Sequence, residues 1–163
     1  MSDLINKNIK HTITIYTDGA CSGNPGKGGW GAILLCNYTD KTGQTKQLKK
    51  IISGGELNTT NNKMEITAVI KSLSIIKKPS KIELFTDSKY VLDGFTKWLP
   101  NWQKQGWKGA NNKPIKNISL WQELLQVSEP HKINWHWVKG HSTSDLNNEV
   151  DALAVLARDK QVG

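Results

Sequence analysis

The order of apolar patterns along the chain predicts an α/β fold in one domain. Five segments alternate apolar and polar residues or are continuously apolar, which indicates strands, and segments with apolar residues every three or four positions indicate helices. The 163 residues contain no internal repeat and no low-complexity linker. A chain of this length buries roughly 70% of the surface that its unfolded form exposes. We therefore expect a single domain over residues 11–163, preceded by a flexible extension over residues 1–10.

Three strands are expected to open the domain, joined by turns containing glycine and aspartate that suit antiparallel hairpins. The first is predicted over Thr12–Thr17, and it ends at Asp18 before a glycine-rich turn. The second is predicted over Trp30–Asn37 and the third over about Gln44–Ser53. The turn after Asp18 lacks the GK[ST] ending that a nucleotide-binding P-loop requires.

A first helix is predicted over about Asn62–Lys77, with Thr60 or Asn61 as its N-cap and Pro79 as its stop. Its apolar stripe is formed by Ile66, Val69, Leu73 and Ile76. The spacing of that stripe places one face of the helix on the sheet.

Two further strands and two helices complete the predicted domain. A fourth strand over Lys81–Thr86 ends at Asp87, and Ser88 caps a short helix after it. A fifth strand is expected over Lys132–Val138 and a last helix over about Asp145–Lys160. The inner stripe of that helix consists of Val150, Leu153, Ala154 and Ala157.

The charge favours a polyanionic partner such as nucleic acid. Lysine and arginine outnumber aspartate and glutamate by 22 to 14, a formal charge of +8. The stretch from Gly94 to Gln122 has no acidic residue and interleaves lysines with tryptophans. Binding to nucleic acid would explain both the lysines, which neutralise phosphates, and the tryptophans, which pack against sugars or bases. The alternatives are a solvated surface for the lysines and a core role for Trp121.

A soluble, cytoplasmic monomer is the expectation from the remaining composition. Cys21 and Cys36 have no metal-ligand spacing and form no disulfide framework, which fits a reducing compartment. The first ten residues contain no apolar signal core, and no later stretch has the apolar length of a membrane helix.

Four carboxylates stand at positions from which they can converge on a metal. Asp18 and Asp87 each follow a predicted strand, Glu65 lies in the first turn of the first helix, and Asp151 lies beside the apolar stripe of the last helix. Taken one at a time, these acids have simpler explanations: a turn for Asp18, and helix capping for Glu65 or Asp87. A lone carboxylate at Asp151 would be costly to bury without partners. Hard oxygen ligands without a Cys/His cluster suit Mg²⁺ or Mn²⁺.

Five segments, in their order and separations, closely resemble type 1 ribonuclease H of the bacterial kind: TDGACSGNPG, TTNNKMEI, TDSKYV, VKGHSTS and NNEVDALA. The resemblance covers about His11 to Ala157. It implies a ribonuclease H-like fold, with a mixed five-stranded sheet of three antiparallel and two parallel strands flanked by helices. It also implies an endoribonuclease that cuts the RNA strand of an RNA/DNA hybrid with two Mg²⁺ ions, with Mn²⁺ able to substitute, and leaves 5′-phosphate and 3′-hydroxyl ends.

The same resemblance implies roles for individual residues. The metal-binding acids fall on Asp18, Glu65, Asp87 and Asp151, and a mobile histidine that assists proton transfer or product release falls on His141. The hybrid-binding positions fall on Cys21, Asn24, Thr60, Asn61, Asn62 and Lys89, and on Trp98, Lys104 and Lys108 of a basic protrusion over residues 94–116. Asn24 and Thr60 match a pocket for a DNA phosphate.

Two departures from the pattern concern substrate affinity. Leu35 stands where some relatives have an arginine beside the phosphate pocket, and Lys89 where some have glutamine. Two other functions also remain open. A resolvase- or transposase-like nuclease acting on DNA would use the same acids, but the protrusion and the single short domain argue against it. A non-catalytic hybrid-binding module gains nothing from four acids that face phosphates.

Overall fold

The computed structural model describes residues 11–139 and 145–162; the predictions for residues 1–10 and for His141 lie outside them. The described residues form one mixed sheet of five strands, in the order β3-β2-β1-β4-β5. The strands are β1 (His11–Gly23), β2 (Gly26–Thr39), β3 (Thr45–Thr59), β4 (Lys81–Thr86) and β5 (Lys132–Trp137). The first three pair antiparallel, whereas β4 is parallel to β1 and β5 to β4. The predicted mixed sheet is confirmed.

The helices lie on both faces of this sheet. They are α1 (Asn61–Ser74), α2 (Lys89–Asp93), α3 (Leu99–Lys104), α4 (Ile118–Ser128) and α5 (Asp145–Asp159), with a π-helical turn over Gly94–Trp98 between α2 and α3. Alternate residues of β2 divide the faces, because Ala32 and Leu34 join the core with α1 whereas Gly29 and Gly31 lie against α5. None of the helices in residues 11–139 and 145–162 is long and apolar enough to cross a membrane.

The first hairpin is longer than predicted, and the prediction that the strand ends at Asp18 is wrong. β1 continues to Gly23, with Asp18 opposite Gly31 and Gly23 opposite Gly26. Glycine is unfavourable in isolated strands, so the glycine-rich stretch resembled a turn. Tertiary packing explains its place here, because a Cβ on Gly19 would collide with α1 and a Cβ on Gly29 would collide with α5.

The other boundaries differ by smaller amounts. Thr60 is the N-cap of α1, and its hydroxyl accepts a hydrogen bond from the Lys63 amide at 3.2 Å. The helix ends at Ser74, so Pro79 is not its stop. β4 has the predicted bounds, and α5 ends one residue earlier than predicted. β2 and β3 extend beyond their predicted ends because the antiparallel pairing continues to the Gly26–Thr59 pair.

Gly29 is expected to tolerate no side chain. A Cβ there would meet the backbone of α5 at Ala154 and Arg158, which cannot move aside as a flexible side chain can. Gly29→Ala is therefore expected to lower the free energy of unfolding by about 1–3 kcal/mol, measured by urea denaturation. The control is Gly43→Asn, at an open turn position with φ of 86° that asparagine accepts. Equal stability of the two variants would contradict the close approach of α5.

Candidate active site

Three carboxylates converge beside the carboxyl end of β4, where that strand pairs with β1. Oxygens of Asp18, Glu65 and Asp87 all lie within 4.8 Å of one another. The parallel pairing of β1 with β4 sets Thr17 beside Thr86, so the acids that follow them in sequence are neighbours. Glu65 arrives from α1, which approaches β1 so closely that a Cβ on Gly19 would lie 2.7 Å from the Glu65 amide nitrogen. The fold therefore brings together three of the four predicted acids.

None of these three acids has the turn or helix-capping role that could have explained it without a metal. Asp18 lies inside a strand rather than in a turn. Glu65 is the fifth residue of α1, whose cap is Thr60, and the cap of α2 is Ser88 rather than Asp87. Their convergence therefore requires an explanation beyond local backbone stabilisation.

Burial makes ionisation of this cluster costly. Asp18 is 3% exposed and Glu65 5% exposed, and neither forms an ion pair with a described residue. Burial, a hydrogen bond with Asp151 and repulsion from Asp87 raise the pKa of Asp18 to about 8, although the Gly19 amide donates to its Oδ1 at 2.9 Å. Burial, followed by repulsion from Asp18 and Asp87, raises the pKa of Glu65 well above its usual range. A positive ligand is needed to hold these carboxylates ionised at neutral pH.

The donor set fits a divalent cation. Glu65 Oε2 is buried and has no hydrogen-bond partner among the described residues, an arrangement that is costly unless a ligand fills it. All three side chains offer carboxylate oxygens, the donors that Mg²⁺ and Mn²⁺ prefer. Asp18, Glu65 and Asp87 are thus the residues that would hold the metal.

Asp151 lies at the rim of the same site. A cleft of about 240 Å³ is lined by Asp18, Gly19, Asn61, Glu65, Asp87, Asn147, Asn148 and Asp151. Asp151 belongs to α5 and is exposed, so the expectation that it is buried close to the apolar stripe is wrong. One residue after Val150, it is turned about 100° around the helix and away from that stripe. It nevertheless lines the same cleft as the cluster, and it contributes to raising the pKa of Asp18.

Asn147 is a cleft residue that the sequence pattern did not predict. It is 5% exposed and lines the cleft with Asn148. Its position four residues before Asp151 places both side chains on one side of α5. That spacing was a usable signal, since an asparagine one turn before a predicted metal ligand shares its face.

Several predicted substrate contacts meet where the β1–β2 hairpin touches the start of α1. Asn24 Oδ1 accepts a hydrogen bond from the Asn61 amide at 3.3 Å. The Cys21 thiol donates to the Thr59 carbonyl at 3.5 Å. The structure thus gathers four of the predicted residues in one corner: Cys21, Asn24, Thr60 and Asn61. Asn62 follows as the second residue of α1, and Asn61 also lines the cleft.

The protrusion over residues 94–116 combines exposed lysines with packed aromatic rings. Trp98 and Trp102 have ring centroids 6.1 Å apart, and both pack against the fully buried Trp121. Packing therefore explains much of the tryptophan content of this stretch, and Trp121 has the core role that was the alternative to nucleic-acid binding. Lys104 and Lys108 are exposed, and Trp98 keeps 38% of its surface in solvent. Their contact with substrate stays a prediction.

Comparisons with known proteins agree with this geometry. The RNase H family model matches residues 10–159. The ribonuclease H of Cupriavidus necator is 51% identical over 142 residues, covering 87% of this chain and 92% of that protein. The structure of LC9-RNase H1, a type 1 RNase H with the type 2 active-site motif, is 32% identical with a TM-score of 0.78, covering 93% of this chain and 74% of that one. LC11-RNase H1 in complex with RNA/DNA hybrid is 23% identical with a TM-score of 0.60, over 91% of this chain and 97% of that one.

Proposed function

The chain belongs to the ribonuclease H family, and on that premise we propose that it hydrolyses the RNA strand of RNA/DNA hybrids with two Mg²⁺ ions, leaving 5′-phosphate and 3′-hydroxyl ends. The observation that carries this proposal is the convergence of three carboxylates within 4.8 Å, with one buried oxygen of Glu65 unpaired among the described residues. Such a cluster repels phosphate unless cations neutralise it. The intact acids therefore favour catalysis over hybrid binding alone.

The residues of the cleft would each perform a distinct task. Bound divalent cations supply charge to activate the attacking water and to stabilise the leaving 3′-oxygen. Asp18, Glu65 and Asp87 would hold the cations, and because the pKa values of Asp18 and Glu65 are raised, these two carboxyls would release protons when a cation binds. Asp151 completes the set from α5. We assign His141 to proton transfer or product release.

Discrimination for the hybrid is assigned to the corner beside the cleft. Asn24, Asn61 and Asn62 offer amide groups that can hydrogen-bond 2′-hydroxyls and base edges in a minor groove. We assign Thr60 and Asn24 to a phosphate of the DNA strand, and Cys21 to the same substrate-binding corner, where its thiol donates to the Thr59 carbonyl. The 2′-hydroxyls mark one strand as RNA, and the partner strand must deform as DNA does.

The proposed reaction is tested with end-labelled RNA/DNA hybrid, duplex RNA and duplex DNA of one sequence, in Mg²⁺ and in EDTA. We expect cleavage of the RNA strand of the hybrid alone, only with Mg²⁺, and products that a 3′-phosphatase leaves unchanged. Preferential cutting of duplex DNA would favour the resolvase- or transposase-like alternative. Hybrid binding without cleavage would favour the non-catalytic module.

The protrusion is expected to contribute charge to binding rather than to catalysis. Replacing Lys104 and Lys108 with alanine should weaken hybrid binding and lower the slope of log Kd against log salt by about 0.9 for each phosphate that is no longer neutralised. The check is a titration between about 50 and 200 mM salt. Lys41 and Lys50, exposed in the β2–β3 hairpin, give the matched double-alanine control. An unchanged slope in the Lys104/Lys108 variant would show that these lysines meet no phosphate.

A further inference from the structure

An ion pair joins α5 to β3, the terminal strand on one side of the sheet. The Lys49 ammonium on β3 donates to both carboxylate oxygens of Glu149 on α5, at 2.8 and 3.0 Å. The two residues are 100 positions apart in sequence, so the contact exists only because α5 lies across the strands. Glu149 is two residues before Asp151. The ion pair therefore tethers the part of α5 that lines the cleft.

Glu149 and Asp151 project from opposite flanks of α5. Successive residues of a helix are turned by about 100°, so Val150 lies between them around the helix. Val150 is fully buried, and its carbonyl oxygen would be 3.3 Å from a Cβ on Gly31 of β2. Gly31 pairs with Asp18 on β1. Rotation of α5 about its axis that lengthens the Glu149 contact would therefore change the distance from Asp151 to Asp18.

Two glycines of β2 leave this rotation weakly restrained. At Gly29 and Gly31 the sheet presents no side chain to α5, and a Cβ on Gly31 would lie 2.8 Å from the Leu153 Cβ. Interlocking side chains ordinarily set the orientation of a packed helix, because the ridges of one surface enter the grooves of the other. Where the glycines lie, the strand offers no such ridge. A tether on one flank of the helix can then contribute to its orientation.

From this arrangement we propose that the Lys49–Glu149 ion pair is a positioning contact, which holds α5 at the rotation from which Asp151 reaches the metal-binding cluster. The inference rests on the proposed function. Neither Lys49 nor Glu149 lines the cleft, so both act through the helix. Their side chains are 41% and 38% exposed. Exposed ion pairs are weak, so we expect a change of about two- to fivefold in Mg²⁺ affinity when the contact is lost.

Lys49→Met distinguishes positioning from a simple effect of charge. Loss of a lysine lowers the positive charge of the protein, which by itself would strengthen Mg²⁺ binding. Loss of the tether should instead weaken Mg²⁺ binding to the hybrid-free protein about two- to fivefold, measured by calorimetry. The Mg²⁺ concentration for half-maximal hybrid cleavage should rise by a similar factor. Lys46→Met is the matched control, because Lys46 lies on the same strand and pairs with Asp40 at 3.2 Å, away from α5.

Three further variants separate the tether from a general loss of stability. Glu149→Gln should also weaken Mg²⁺ binding, and should add nothing to Lys49→Met in the double variant. The exchange of Lys49→Glu with Glu149→Lys keeps the net charge and the summed length of the two side chains, and should restore most of the affinity. Urea denaturation should give similar free energies of unfolding for Lys49→Met and Lys46→Met. A merely structural ion pair would change stability and leave Mg²⁺ affinity unaltered.

The proposal is overturned if Lys49→Met binds Mg²⁺ as tightly as Lys46→Met or more tightly. It is also overturned if the effects of Lys49→Met and Glu149→Gln add independently, or if the exchanged pair binds Mg²⁺ as weakly as the single variants. If wild type cleaves no hybrid, the proposed function fails, while calorimetry of the hybrid-free protein still tests the tether. If wild type cleaves hybrid and Lys49→Met matches its control, only this inference fails.

Discussion

Replacing Asp18 with asparagine is expected to lower hybrid cleavage by more than about 100-fold, beyond the 10- to 100-fold that follows loss of a residue that only orients a metal ligand. Asparagine keeps the size of the side chain and can still accept the hydrogen bond from the Gly19 amide. It removes the negative charge at the centre of the cluster, where Glu65 and Asp87 have oxygens within 4.8 Å. The expected loss is therefore one of metal binding rather than of folding.

The measurement is single-turnover cleavage of labelled hybrid across a Mg²⁺ titration, with circular dichroism to confirm folding. Asp159→Asn is the control, because it removes one negative charge from an exposed position at the end of α5. We expect the control to cleave at the wild-type rate. Asp18→Asn activity equal to that of the control would refute the assignment of the metal site.

Periodicity and cap chemistry predicted the five strands and the helices α1, α2 and α5, but gave no bounds for α3 or α4 and missed the full extents of several elements. Both ends of the fourth strand were predicted correctly, because its alternation of apolar and polar residues lies between Pro79 and Ser88. The first strand was cut short at Asp18, because local preference treats glycines as turn residues and cannot register that α5 lies against Gly29. The family resemblance implied three antiparallel and two parallel strands, and periodicity did not give their spatial order. Long-range packing, absent from local patterns, decided both.

The candidate site shows the same division between local and long-range information. Asp18 and Asp87 were predicted to be neighbours because each follows a strand, and the parallel pairing confirms that they are. The depth of Glu65 could not be predicted, because it depends on how closely α1 approaches Gly19. Asp151 was expected to be buried close to the apolar stripe of α5, yet a single-residue step around the helix leaves it exposed. Residue identity located the chemistry, whereas burial required the fold.

The buried acids also predict how the stability of the metal-free protein depends on pH. The pKa of Asp18 is about 8 in the folded chain and near its ordinary value of 3.8 when unfolded. Below about pH 4 both states hold the proton and the contribution to stability is full. As the pH rises the unfolded chain releases its proton first, so the free energy of unfolding falls until the folded carboxyl ionises near pH 8. Glu65, whose pKa is also raised, adds to the same decline.

Asp18→Asn is therefore expected to be more stable than wild type in EDTA at about pH 8, by on the order of 1–3 kcal/mol, although it is inactive. Asparagine carries no ionisable proton, and its neutrality relieves the repulsion that raises the pKa of Glu65. Urea denaturation between about pH 5 and pH 8 should show a steeper decline for wild type than for the variant. Mg²⁺ should restore stability to wild type at the upper pH and do less for the variant, because it binds the ionised folded cluster. Parallel curves in EDTA would mean that Asp18 ionises at little cost, and the repulsion attributed to the carboxylate cluster would then be absent.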